Sequence, residues 1–200
     1  MPKASLADLT LILDRSGSMA SLADATVEGI HSFIAEQRKL PGEAFLSIYT
    51  FNDQLSTAVE YENIQTVKTP PYEPRGGTAL LDAIGLVVNK IGQRLANTPE
   101  AQRPEKVIVA IMTDGEENAS KTYTKAQVQE MIKHQEEKYA WEFLFLGANI
   151  DVVAVSASIG IRKSNAVEYC ASVDGVRGAY SGTSKLVGRM RSGSTPKSSP

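Results

Sequence analysis

The stretch Leu9-Thr10-Leu11-Ile12-Leu13-Asp14-Arg15-Ser16-Gly17-Ser18 decides the fold. Five mainly apolar residues end abruptly in an acid, two hydroxyls and a glycine. A strand with one wet face alternates apolar and polar residues, whereas a central parallel strand is covered on both faces and is apolar almost throughout. Leu9–Leu13 therefore predicts a buried parallel strand whose carboxyl end opens into a polar loop. Two further runs share the pattern. Val107–Met112 leads into Thr113-Asp114-Gly115-Glu116-Glu117-Asn118, and Phe143–Leu146 stands near the start of the last third of the chain.

Working outward, the intervening segments have helical periodicity. Val27, Ile30, Phe33 and Ile34 share one face of a helix that Pro41-Gly42 stops near Leu40. Ile84, Val88, Ile91 and Leu95 define a second helical face. Val128, Met131, Ile132 and Gln135 suggest a third helix, Asp151–Gly160 a short fourth, and Val176, Tyr180, Thr183, Val187 and Met190 a last one. Phe45–Phe51 and Leu55–Glu62 flank Asn52-Asp53-Gln54, a hairpin turn. In the second of these, Leu55, Thr57, Val59 and Tyr61 alternate with Ser56, Ala58, Glu60 and Glu62, which predicts a half-exposed edge strand. Asn165–Ala171 is a sixth strand candidate. The order β-α-β-β-α-β-α-β-α-β-α predicts an α/β fold, a mainly parallel sheet with helices on both faces and one antiparallel edge. Lys68–Gly77 and Asn97–Glu105 read as loops. One domain over residues 5–190 is expected, with a disordered tail over 191–200.

The composition narrows the functions. Apolar residues make up 42% of 200, enough for a real core. Lys plus Arg number 21 against 23 Asp plus Glu, a net charge of −2, which speaks against a basic nucleic-acid binder and a polybasic membrane signal. A single cysteine, Cys170, excludes a disulfide framework and a cysteine-based zinc site, and two histidines exclude histidine-rich metal chemistry. The first residues lack a secretory pattern, and no apolar run approaches the roughly 18 residues of a membrane span. A cytoplasmic location is the expectation.

In an open α/β sheet, ligands bind beyond the carboxyl ends of the strands, near the point where strand order reverses. The loop Asp14–Ser18 and the loop Thr113–Asn118 follow two such strands, and Gly76-Gly77-Thr78 opens the Ile84 helix. These loops converge if the first and fourth strands are neighbours. They would gather the carboxylates of Asp14 and Asp114 with the hydroxyls of Ser16, Ser18 and Thr78. All are oxygen donors, which suits a hard cation such as Mg²⁺. Two carboxylates balance the charge of a divalent ion without exceeding it, so the ion could accept one more carboxylate from outside. Asp14, Ser16 and Ser18 are also ordinary helix-capping residues, and Thr78 can cap its own helix.

Asp14-x-Ser16-x-Ser18, then Gly-Gly-Thr78, then Thr-Asp114-Gly resembles the metal-ion-dependent adhesion site (MIDAS) of von Willebrand factor A domains. The resemblance spans about residues 5–190 and is nearest to stand-alone bacterial and phage members. It implies a doubly wound, Rossmann-like sheet of six strands in the order 3-2-1-4-5-6, with strand 3 antiparallel. It further implies that Ser16, Ser18 and Thr78 bind Mg²⁺ or Mn²⁺, with Asp14 and Asp114 direct or through water. The remaining position would take a Glu or Asp from a partner protein. Some such members work beside kinases or phosphatases, so a kinase, phosphatase or ATPase system encoded nearby is an implied partner, with no nucleic acid and no membrane.

Arg15, Glu73, Arg75, Glu116, Glu117 and Asn118 rim the expected site, either as plain loop polarity or as partner contacts. Arg15 reads as a solvated charge near enough to steer an acidic partner. His31 and His134 fall within helices, Trp141 reads as packing, and Cys170 as a small buried residue. An enzyme is the rival reading, as a Mg²⁺-dependent hydrolase or phosphoryl-transfer catalyst. Against it, there is no G-x-x-x-x-G-K-[ST] or G-x-G-x-x-G loop, Ser16 stands where an Asp-x-Asp phosphatase needs its second Asp, and no histidine lies at a strand end. A structural subunit of a phage or bacterial assembly is the third reading. The expectation is a binding module and no enzyme.

Overall fold

In the computed structural model, which describes residues 3–193, the three apolar runs become the middle of a six-stranded sheet. The strands are β1 (Lys3–Asp14), β2 (Glu43–Phe51), β3 (Leu55–Asn63), β4 (Pro104–Thr113), β5 (Glu142–Gly147) and β6 (Ala166–Glu168). They lie in the order β3-β2-β1-β4-β5-β6, and only the β2–β3 hairpin is antiparallel. Among the described residues five α-helices cover it: α1 (Ala23–Arg38), α2 (Leu80–Ala96), α3 (Lys125–Tyr139), α4 (Val152–Ser158) and α5 (Val173–Arg191). The doubly wound fold expected from the sequence is the one observed.

The pleat sorts each central strand between two cores. Leu9, Leu11 and Leu13 of β1 and Leu144 and Leu146 of β5 pack with α1 and α5. Ile12 of β1 and Phe143 and Phe145 of β5 pack with α2, α3 and α4. Both faces are dry, which is why these strands read as unbroken apolar runs. Gly29 lets α1 and α5 meet closely, since a Cβ there would lie 2.1 Å from the Tyr180 ring. Among the described residues no helix is long and apolar enough to cross a membrane.

Three local expectations change. The last strand keeps only Ala166–Glu168, because Lys163–Asn165 forms a 3₁₀ turn and the Asn165 side chain, not its backbone, reaches the Phe143 carbonyl at 2.9 Å. The alternation along β3 is interrupted where Tyr61 takes a left-handed φ of 46°. There its ring stacks on Phe45 and its amide donates to Ser47 Oγ. Arg191, expected in the tail, closes α5, and its guanidinium donates to the Gln37, Pro41 and Gly42 carbonyls. Residues 194–200 of that tail lie outside the described residues.

β1 also begins earlier than its apolar run, and this buries a charge. Asp8 is 0% exposed and its Oδ2 accepts from Arg94 Nη2 at 2.7 Å. The Arg94 guanidinium lies 3.8 Å from the centre of the Tyr61 ring, so α2, β1 and β3 are tied together. Burial lifts the Asp8 carboxyl from its ordinary 3.8 to about 6, against the opposing pull of Arg94. The folded state therefore holds a proton that the unfolded chain releases near pH 4. Its contribution to stability is complete below that pH and is lost as pH rises through about 6. Asp8→Asn has no such proton to lose. Relative to the wild type, the variant should gain on the order of 2 kcal/mol between pH 4 and pH 7, read from urea unfolding at both pH values; a pH-independent difference would contradict the assignment.

Candidate metal centre

The site forms where β1 and β4 stop pairing. Their parallel ladder runs to Leu13–Met112, and the next residues on each strand, Asp14 and Thr113, lead into the loops that carry the polar groups. After β1 the chain turns at once into a 3₁₀ turn, Gly17–Leu22, that runs into α1. Three backbone bonds hold this first loop in place: Arg15 N–H to Phe51 O, Gly17 N–H to Gly76 O at 3.0 Å, and Arg75 N–H to Arg15 O at 2.7 Å. The first loop therefore lies against the Gly76-Gly77-Thr78 loop, as the convergence of the loops requires.

Oxygen atoms link the expected residues in a chain. Ser16 N–H donates to Asp14 Oδ1 at 2.7 Å, Ser16 Oγ and Ser18 Oγ are 3.0 Å apart, and Ser18 Oγ donates to Asp114 Oδ1 at 2.8 Å. Thr78 Oγ1 stands beside the residue after Asp114, 3.8 Å from where a Cβ on Gly115 would lie. Hydrogen bonds thus join four of the expected residues, and the fifth lies next to the Asp114 loop. Ser16, the N-cap of the 3₁₀ turn, makes no side-chain capping bond, and the N-cap of α2 is Ala79 and not Thr78.

Thr113 is absent from the expected metal-binding residues, yet its Oγ1 donates to Asp14 Oδ2 at 2.6 Å. Its place directly before Asp114, at the end of an apolar run, is the signal that marks it.

The electrostatics are unusual. Asp14 is 1% and Asp114 3% exposed. Among the described residues, neither forms an ion pair with a lysine or arginine. Burial raises the Asp14 carboxyl above its ordinary value. Hydrogen bonds from Thr113 and Ser16 oppose the rise, and the Asp114 charge adds to it. Buried carboxylates are normally paired or bound to metal. Among the described residues no three His, Cys, Asp or Glu side chains are grouped, so any cation here would rest on two carboxylates and three hydroxyls. That all-oxygen set, two negative charges with neutral donors, fits a hard divalent ion.

The rim residues divide. Glu73, Arg75 and Glu116 are exposed. Glu117 and Asn118 are instead spent on the start of α2. Asn118 Oδ1 accepts from Thr78 N–H at 2.9 Å while Asn118 N–H donates to Thr78 O at 3.0 Å, a two-way clasp. Glu117 accepts from the Leu81, Ala119 and Ser120 amides and from Ser120 Oγ. Asp82 accepts from the Lys121, Thr122 and Tyr123 amides in return. Arg15, expected as solvated, is half-buried and donates to Ser56 Oγ on β3 at 3.0 Å, leaning away from the carboxylates. Cys170, expected as buried, is exposed, because the chain swings outward between β6 and the Ser172 cap of α5. His31 and His134 are exposed on helices, and Trp141 is buried packing.

No protein-family model and no curated protein matches the chain. Solved structures match its fold. Proximal thread matrix protein 1 from the mussel byssus superposes with a TM-score of 0.64 at 15% identity, over 92% of this chain and 46% of its own. This chain therefore spans about half the length of that protein. The vWF domain of the type V pili tip protein Mfa5 from Porphyromonas gingivalis gives 0.62 at 9% identity, over 97% and 98% of the two chains. The manganese-loaded TRAP protein of Plasmodium vivax gives 0.57 at 16%, over 87% and 71%. The chain has the fold of von Willebrand factor A domains.

The clasp at the start of α2 separates two adjacent glutamates. Glu117→Ala should lower stability by about 2 kcal/mol, since several amides lose their acceptor. Glu116→Ala should stay within about 0.5 kcal/mol of the wild type. Equal effects in urea unfolding would contradict the assignment.

Proposed function

We propose that the chain is a divalent-cation-dependent protein-binding module with an intact MIDAS. The observation that carries this reading is the pair of buried carboxylates, Asp14 and Asp114, neither of which forms an ion pair with a lysine or arginine among the described residues. Ser16, Ser18 and Thr78 would hold the ion as neutral donors, with Asp14 and Asp114 as direct or water-bridged anions. Mg²⁺ or Mn²⁺ suits this oxygen set best. Two structures of the same fold support a bound metal: the byssus protein is described with zinc in its MIDAS motif, and TRAP as manganese-loaded.

The ion would supply an electrophilic point able to take a carboxylate oxygen from a partner. The chain's own residues do the rest. Thr113 and Ser16 orient the Asp14 carboxylate, Ser18 orients that of Asp114, and the Asn118 clasp fixes Thr78. Neutral hydroxyls add no negative charge beyond the two balancing carboxylates, so the ion would remain electrophilic enough to take an outside Glu or Asp. One such bond is too little for a specific interface, so exposed Glu73, Arg75 and Glu116 around it would help select the partner. No reaction is proposed: Ser16 and Ser18 bond to each other and to Asp114, and the reading uses their oxygens as metal donors.

The test is capture of binding proteins from source cells on the immobilised chain. Partners should be lost in EDTA and regained on adding Mg²⁺ or Mn²⁺. Asp14→Ala and Thr78→Ala should each weaken capture at least about tenfold. Undiminished capture in EDTA and by both variants would overturn the reading.

A further inference from the structure

Under the two carboxylates lie three buried tyrosines from three different parts of the chain. Tyr72 belongs to the loop between β3 and α2, Tyr169 follows β6, and Tyr180 stands on α5. All three join the core between the sheet and the α1–α5 layer. The Tyr72 hydroxyl donates to the carbonyl of Asp14. The Tyr169 hydroxyl donates to the carbonyl of Thr113 at 3.2 Å. Tyr180 differs: its hydroxyl is buried without a hydrogen-bond partner, although its phenol is close enough to influence both others.

The placement of the two bonded hydroxyls matters because of where the ladder ends. β1 and β4 pair through Leu13–Met112 and no further. Asp14 and Thr113, the next pair along, lie past that ladder: each still pairs with its outer neighbour, Phe51 or Gly147, and the Thr113 hydroxyl bonds the Asp14 carboxylate, so side-chain bonds help set their separation. That separation decides how far apart the Asp14 and Asp114 carboxylates stand. Tyr72 holds one strand end by its carbonyl, and Tyr169 holds the other, shared with the Ala148 amide at 3.1 Å. A buried phenol anchored in a packed core moves little, so it is a stiffer support than a loop.

We propose that Tyr72 and Tyr169 are positioning residues that set the spacing of Asp14 and Asp114, and so the size of cation the site prefers. The inference rests on the metal-binding reading above. A rigid, narrow site favours Mg²⁺ or Mn²⁺, whereas a loosened one admits the larger and less demanding Ca²⁺. Groups that orient metal ligands are typically worth about 10–100-fold in metal affinity.

The experiment is calorimetric titration of the full chain with Mg²⁺, Mn²⁺ and Ca²⁺, alongside thermal unfolding in EDTA. Tyr72→Phe should weaken Mn²⁺ binding about tenfold and shift the Mn²⁺ to Ca²⁺ affinity ratio toward Ca²⁺. Tyr169→Phe, which removes a longer bond, should do the same to a smaller degree and keeps the test open if Tyr72→Phe does not fold. Tyr180→Phe removes a hydroxyl with no partner, so both affinity and ratio should stay at the wild-type values. Wild-type binding with an unchanged ratio in Tyr72→Phe and Tyr169→Phe would overturn the positioning role alone, whatever happens to stability. Failure of the wild type to bind any of the three ions would overturn the metal-binding reading and this inference with it.

Discussion

Two carboxylates buried side by side at the ends of adjacent parallel strands are the constraint on which the rest depends. An isolated ionised carboxylate is costly to remove from water, and a second one nearby raises the cost. Asp14 and Asp114 sit in this position bonded to hydroxyls and an amide, and among the described residues neither is paired with a lysine or arginine. A fold optimised for stability alone would place apolar residues there. The sheet instead carries negative charge at the carboxyl ends of its two central strands, and the loops around it are built to tolerate that.

The tolerance is visible in how the neighbouring loops are tied. α2 starts at the site, and its first amides are received by Glu117, Asn118 and Ser120 from the loop after β4. Asp82 returns the bond to that same loop. Gly85 completes the fit, since a Cβ there would strike the Tyr123 ring. At its other end α2 carries Arg94, which pairs with Asp8 on the strand that also carries Asp14. One helix thus spans from the charged site to the Arg94–Asp8 ion pair, whose carboxylate is buried. The polar network is local at the top and the apolar cores below it are dry, so the site can be charged without wetting the sheet.

Much of this was legible in the sequence because parallel strands announce themselves. Leu9–Leu13, Val107–Met112 and Phe143–Leu146 marked the buried strands, and the residues after them had to lie at one end of the sheet. That reasoning found Asp14, Ser16, Ser18 and Asp114, and Gly76-Gly77 pointed to Thr78. What stayed hidden depends on long-range return of the chain. Tyr72 reads as a loop aromatic and Tyr169 as part of the last strand candidate until the fold brings their hydroxyls to the Asp14 and Thr113 carbonyls. Glu117 and Asn118 look like free rim polarity until α2 presents its open amides to them. Asp8 lies just before the apolar run, and nothing local shows that β1 begins at Lys3 or that Arg94 comes over it. Cys170 was misjudged for a similar reason: residue type predicts burial only on average, and here the turn into α5 carries it outward.

The most direct measurement is anomalous diffraction from a crystal of the full chain grown with Mn²⁺, collected beside a crystal of Asp14→Ala. A metal-based site gives a peak within about 2.5 Å of at least two of the Ser16, Ser18 and Thr78 hydroxyls, and no peak in the variant. A map without that peak, with a lysine or arginine side chain paired to Asp14 and Asp114 instead, would contradict it.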